Sequence, residues 1–173
     1  MGELVQLDGS HHEWLEGRGP RCVLMAYIDD ASSRVYARFY EYEGTVPALD
    51  SFSRYVKQHG IPLAVYTDKH TIYKSPAEPT VDEQLEGCTP QSQFERSLAE
   101  IGVKVIHAHS PQAKGRVERL FAAFQDRLVK ERRLARICDP RGRESISGRL
   151  SAKLQPAVCG SARRSSVAQT APA

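Results

Sequence analysis

The sequence predicts an α/β domain built on a mixed five-stranded sheet with flanking helices, in the order βββαβαβα. Three observations lead there. The first forty residues hold three strand-like segments joined only by turn residues. Two further strand segments then follow, each preceded by a stretch with helical spacing of its apolar residues. A last, longer apolar stripe closes the pattern. Strands in a run and then strands alternating with helices make a mixed sheet with helices packed on it.

Each element has its own signal. Leu4 to Asp8 is a short apolar strand, and Gly17-Arg18-Gly19-Pro20 supplies a turn. Cys22 to Ile28 is almost continuously apolar, as a strand covered on both faces should be. Asp29-Asp30-Ala31-Ser32-Ser33 reads as a turn. Val35, Ala37 and Phe39 then alternate with Tyr36, Arg38 and Tyr40, the period-2 pattern of a strand. Thr45 can cap a helix running to about His59, with Leu49, Phe52 and Val56 on one stripe and Gly60 as the stop. Ile61 to Asp68 is a fourth strand. Lys69 to Pro90 is polar and punctuated by Pro76, Pro79, Gly87 and Pro90, an irregular stretch of a length that is usually functional. Phe94, Leu98 and Ile101 stripe a second helix ended by Gly102, and Val103 to Ala108 is a fifth strand. Ser110 and Pro111 open a third helix with Val117, Leu120, Phe121, Phe124 and Leu128 on its apolar face.

Composition sets the limits. At 173 residues, 40% hydrophobic and 26% charged, the chain suits one ordinary domain and a tail. No run approaches the roughly 20 apolar residues of a membrane span. The first residues lack the basic and apolar regions of a signal peptide, so a cytoplasmic setting is expected. Cys22, Cys88, Cys138 and Cys159 form no CxxC pair, which argues against a zinc ribbon or a disulfide framework. The net charge of +3 hides a split: residues 1–130 carry 15 Lys and Arg against 18 Asp and Glu, residues 131–173 carry 9 against 3. Residues 1–134 are therefore read as the folded core. Residues 135–173, rich in Arg, Ser, Ala and Gly and without any aromatic residue, are read as a basic, disordered tail with the composition of a shifted reading frame.

Three acids stand out. Asp8 and Asp68 each close a predicted strand, and Glu118 lies one to two turns into the last helix. If the first and fourth strands are neighbours, the two Asp lie side by side, and a helix across that edge can bring Glu118 to them. Three hard oxygen ligands of this kind suit Mg2+, which takes a few carboxylates and keeps waters for substrate. Two such ions activate an attacking hydroxyl and stabilise the leaving oxygen of a phosphodiester, with no protein nucleophile needed. Taken singly, a strand-end Asp is more often a turn residue and a helical Glu more often a solvated one.

The sequence around these acids carries a resemblance. Gln6-Leu7-Asp8-Gly9-Ser10, Tyr66-Thr67-Asp68-Lys69-His70 and above all Ser110-Pro111-Gln112-Ala113-Lys114-Gly115-Arg116-Val117-Glu118-Arg119 resemble the three acid motifs of DDE-type insertion-sequence transposases with a retroviral-integrase-like core. Ile28-Asp29-Asp30-Ala31-Ser32-Ser33 is similar to the second-strand turn of that family. The resemblance covers about residues 2–134 and is nearest to the ISNCY type. It implies the ribonuclease-H-like fold, Asp8, Asp68 and Glu118 as the DDE triad, Mg2+ or Mn2+ as cofactor, and DNA strand cleavage and transfer during transposition. The 50 residues from Asp68 to Glu118 are more than is common in the wider family, and the 69–90 insert accounts for the excess. DNA, as element ends and target, is the implied partner, with self-association or a full-length transposase beside it and a nucleoid-associated place in a bacterial cytoplasm.

Lys114, Gly115, Arg116 and Arg119 around the Glu, with Lys69 and His70 after the second Asp, are the candidate DNA contacts, against the plainer reading of a solvated basic face. His11-His12 and His107/His109 have no further ligands at zinc spacing. Trp14 suits either the core or a stacking role, and the sequence leaves this open. By resemblance, a helix-turn-helix module would precede such a core and further helices would follow it, so the chain is expected to be a truncated copy with Phe121 and Phe124 exposed and activity weak or lost. A ribonuclease-H-like nuclease, or a non-catalytic fragment binding DNA or transposase, are the alternatives.

Overall fold

The computed structural model describes residues 2–85, 87, 89–108, 115–136 and 138. Five strands form one sheet: β1 (Leu4–His12), β2 (Cys22–Asp29), β3 (Val35–Tyr40), β4 (Ala64–Thr67) and β5 (Lys104–His107). Their spatial order is β3-β2-β1-β4-β5. The first three strands are antiparallel, as turn-linked strands must be, while β4 runs parallel to β1 and β5 parallel to β4. Among the described residues four helices accompany them: α1 (Thr45–His59), α2 (Val81–Leu85), α3 (Gln93–Glu100) and α4 (Gly115–Leu134).

Alternation along the central strands divides the apolar side chains between two cores. Leu24, Ala26 and Ile28 of β2 pack with Val117, Leu120, Phe121, Phe124 and Leu128 of α4. Val23, Met25 and Tyr27 point the other way, into a core with Phe52 and Tyr55 of α1 and Phe94 and Leu98 of α3. Both faces are covered, which is why all eight residues of β2 are buried and why it reads as an unbroken apolar run.

Several expectations shift. β1 extends to His12 because its antiparallel pairing with β2 continues through His11↔Val23 and His12↔Cys22, and backbone pairing needs no apolar side chain. Asp8 is therefore inside a strand and does not close it. Gly44, not Thr45, takes the N-cap position of α1, with no side-chain cap. The buried stripe of α1 is Ala48, Ser51, Phe52 and Tyr55, with Leu49 and Val56 only half-buried. Ser51 is buried because its hydroxyl meets Tyr27 Oη at 2.6 Å and donates to the Ala48 carbonyl at 2.9 Å. Ile101 leaves the α3 stripe and is 46% exposed, since the helix has ended before it. The short α2 lies inside the stretch expected to be irregular.

Trp14 is core: it is 1% exposed, its Nε1 donates to the Ser10 carbonyl at 3.0 Å, and it packs edge-on to Phe39. That hairpin segment also reverses the expectation for α4. Phe121 (8% exposed) and Phe124 (1%) are buried against it and the sheet. Residues 109–114, 137 and 139–173 lie outside the described residues, so the opening of the last helix and nearly all of the expected tail do too.

Candidate active site

The register of β1 and β4 decides where two of the acids stand. Leu4 pairs with Ala64, Val5 with Val65 and Gln6 with Tyr66. Asp8 and Asp68 both lie two residues beyond the last of these pairs, Asp8 within β1 and Asp68 one residue past the end of β4. Side-chain alternation fixes the face of Asp8. Val5, Leu7 and Val65 enter the core beneath α1 and α3, so Gln6 and Asp8 of β1 and Tyr66 of β4 belong to the opposite, α4 side. Asp8 pairs with Ala26, itself a member of the α4-side core. Both carboxylates are half-buried. Asp8 Oδ1 accepts from Gly9 N at 3.0 Å, and Asp68 Oδ1 accepts from His70 N at 3.0 Å.

Helix α4 lies along β1 and β2. Arg116 reaches Asp30, whose backbone N donates to Leu4 O, so the helix starts beside the beginning of β1. Gln125 Nε2 donates to Ser10 Oγ at 3.3 Å, and Arg132 Nη1 to the Trp14 carbonyl at 3.3 Å, so the helix follows β1 toward its end. Glu118 is seven residues before Gln125 and thus on the same flank of the helix, the one turned to β1. Seven residues of helix rise about 10 Å, equal to roughly three residues of strand, which brings Glu118 level with Leu7 and Asp8. It is exposed and forms no hydrogen bond or ion pair among the described residues. As the side chains stand, no three His, Cys, Asp or Glu among the described residues are close enough to hold a metal ion.

The surrounding residues are partly those the sequence singled out. Gly115 is the first described residue of α4, and Arg119 beside it is exposed. Arg116 pairs with Asp30 at 3.2 Å, which fixes the start of the helix. Lys69 and His70 are exposed next to Asp68. Lys114 and His109 lie outside the described residues. His70 and His11 line an open cleft of about 380 Å³ with Arg21, Tyr42 and Glu43. His11 Nε2 meets Glu43 Oε2 at 2.5 Å. The approach of Glu43 to the strand is possible because residue 9 is glycine: a Cβ there would stand 2.6 Å from Glu43 Oε1. Sequence reasoning missed Glu43, which carries no motif. It also missed Ser92 and Glu95, although Ser-x-x-Glu ahead of an apolar stripe is a readable capping-box signature.

Ser92 and Glu95 form that box at the start of α3. Burial works against the Glu95 carboxylate, yet bonds from the Ser92 N–H and the His107 ring outweigh it and hold its pKa below the ordinary glutamate range. Tyr73 is fully buried among Phe94 and its neighbours. Burial pushes its phenol well above the usual tyrosine value, and the charges of Glu43, Asp8 and Asp68 add to the shift.

A mixed five-stranded sheet in the order β3-β2-β1-β4-β5 with helices on both faces is the ribonuclease-H-like fold of integrase catalytic cores. Solved structures with the same fold include the catalytic core domain of BIV integrase (TM-score 0.60, 15% identity, covering 85% of this chain and 81% of that one). Another is the simian T-cell lymphotropic virus intasome in complex with PP2A regulatory subunit B56 gamma (TM-score 0.62, 16% identity, covering 99% of this chain and 59% of that one). Among curated proteins, y4bF of Sinorhizobium fredii (strain NBRC 101917 / NGR234), which carries a transposase name, is 41% identical over 138 residues, covering 79% of this chain and 29% of the relative. The transposase for insertion sequence IS1202 of Streptococcus pneumoniae is 35% identical over 132 residues, covering 75% and 27%. No protein-family model matches. The chain is a homologue of insertion-sequence transposases, and what it supplies is a DNA transposase/integrase-type core. It spans less than a third of the length of these two curated relatives. No helix among the described residues is long and apolar enough to cross a membrane.

Proposed function

We propose that this core cuts and joins DNA strands in transposition, with Asp8, Asp68 and Glu118 as the ligands of Mg2+ or Mn2+. What supports the reading is the parallel β1–β4 pairing, whose last pair, Gln6↔Tyr66, precedes both Asp8 and Asp68 by two residues, together with the helical flank that Glu118 shares with Gln125. The donor set fits a hard divalent ion: three carboxylates and no thiolate or imidazole among them. When bound, such ions lower the pKa of an attacking water or hydroxyl and neutralise charge on the leaving oxygen. Three carboxylates repel one another, so the closing of Glu118 onto the two aspartates is coupled to ion binding. The short turn in which Asp68 accepts from His70 N keeps that carboxylate at the strand end. Exposed Arg119, Lys69 and His70, together with Lys114 and the close approach allowed at Gly115, supply phosphate contacts, while Arg116 is engaged with Asp30 and orients the helix.

The partners under this reading are element-end and target DNA, and another copy or a full-length transposase, in the bacterial cytoplasm at the nucleoid. The test is nicking of supercoiled plasmid in Mn2+ or Mg2+. We expect metal-dependent nicking with little sequence preference, reduced to background in Asp8→Asn, Asp68→Asn and Glu118→Gln. Unchanged nicking in Asp8→Asn would overturn the site. Preferential cutting of an RNA–DNA hybrid in a substrate panel would assign a ribonuclease-H-like nuclease instead. Unaltered DNA binding with no nicking at all would favour a non-catalytic fragment.

A further inference from the structure

Asp68 lies one residue beyond the last residue of β4, where the sheet no longer fixes the chain. The structure supplies another tether. His107, at the end of β5, places Nδ1 3.3 Å from the Asp68 carbonyl oxygen and 3.2 Å from Thr67 Oγ1, whose hydroxyl itself donates to the Asp68 carbonyl at 3.1 Å. The other ring nitrogen of His107 meets Glu95 Oε1 at 2.8 Å. Glu95 is fixed in turn by the capping box, where its Oε2 accepts from Ser92 N at 2.6 Å and its own N–H donates to Ser92 Oγ at 3.1 Å. Ser92 Oγ then donates to the Tyr73 carbonyl at 3.1 Å. The side chains of His107 and Glu95 are only 17% and 16% exposed, so this chain of contacts is sheltered from water and from the entropy of a surface pair. Its two ends hold the segment 68–73 at both of its ends, with Tyr73 N and Lys74 N both donating to His70 O between them.

We propose that the His107–Glu95 pair is a positioning device for Asp68, acting on its backbone carbonyl so that the carboxylate is held just past the end of β4. The inference rests on the metal-site reading above and deepens it. Neither residue touches substrate or ion; they act through Asp68, as outer partners of metal ligands do, where loss commonly costs 10- to 100-fold in metal affinity.

The probe is Mn2+ alone, titrated into the full chain and followed by electron paramagnetic resonance, with thermal melting alongside. His107→Ala should weaken Asp68-dependent Mn2+ binding about tenfold. His107→Asn, whose amide can replace Nδ1 at the Asp68 carbonyl, should recover most of the affinity. His107→Gln, which reaches Glu95 but not Asp68, should not. A merely structural role predicts the opposite pattern: affinity following the melting temperature, with Asn and Gln alike. That result, or wild-type affinity in the Ala and Gln variants, would overturn the proposal, and the Asn/Gln comparison serves even if the Ala variant fails to fold. Mn2+ binding that ignores Asp68→Asn would sink the metal site itself. Binding that needs Asp68 and ignores His107 would sink only the positioning role.

Discussion

A Cβ on Gly9 would meet Glu43 Oε1 at 2.6 Å and its carboxyl carbon at 2.8 Å, but both atoms belong to the end of a flexible side chain. Gly9→Ala should therefore cost little stability, under about 1 kcal/mol, while separating Glu43 from His11. The check is a melting curve together with the NMR shifts of the His11 ring; a large fall in melting temperature would show that the strand backbone takes the strain. Tyr73 gives the converse case. Its ring fills the α1/α3-side core, yet its hydroxyl is buried with no hydrogen-bond partner among the described residues. An unsatisfied buried hydroxyl costs about 1–3 kcal/mol, so Tyr73→Phe should leave stability unchanged or raise it. A clear loss on denaturant unfolding would reveal a partner for that oxygen. Neither feature was legible beforehand, because Gly9 and Glu43 are far apart in the chain and nothing in a lone Tyr tells whether its oxygen finds a donor.

At the scale of the elements, what the sequence made plain is what local chemistry determines. β2 announced itself by an apolar run that only a strand covered on both faces can afford, and β3 by its alternation. β1 was cut short at Asp8 because the strand continues by backbone pairing through polar His11 and His12, which no hydropathy pattern records. The motifs single out Asp8, Asp68 and Glu118, whereas the β1–β4 register and the flank that Glu118 shares with Gln125 are long-range features that no local pattern records. Helix α3 carries its own test. Its Ser92–Glu95 box should be worth about 1 kcal/mol, lost in Ser92→Ala. The Glu95 pKa in the folded state is below the ordinary value of 4.5, so the unfolded chain binds that proton first. The stabilisation is fully present above about pH 4.5 and is lost as pH falls through the lower folded value. Melting temperatures of wild type and Glu95→Gln should differ at neutral pH and converge as the medium is acidified past that window. A constant gap would mean the charge of Glu95 contributes nothing.

For the whole molecule the question is whether α4, which carries Glu118, is an appendage or half of the structure. Six of its side chains, Val117, Leu120, Phe121, Phe124, Leu128 and Val129, are at most 8% exposed. At about 1.5–3 kcal/mol for each apolar side chain removed from water, their burial contributes roughly 10 kcal/mol or more. That is comparable to the entire stability of an ordinary domain, about 5–15 kcal/mol. The far end of the helix is also tied down: Arg132 lies over the Phe39 ring at 3.6 Å, and Arg133 bonds to Glu16. A chain ending after Ala108 keeps all five strands but exposes the whole face of Leu24, Ala26 and Ile28, and should lose cooperative unfolding. A chain ending after Cys138 keeps both cores and should melt as one unit. Trp14 reports the difference directly, being the single tryptophan, 1% exposed and part of the core that α4 covers. Its emission should shift to the red in the shorter chain and stay blue in the longer one. Blue emission and a sharp melt after the cut at Ala108 would show that the sheet stands without α4, and that the arm carrying Glu118 is free to dock and undock.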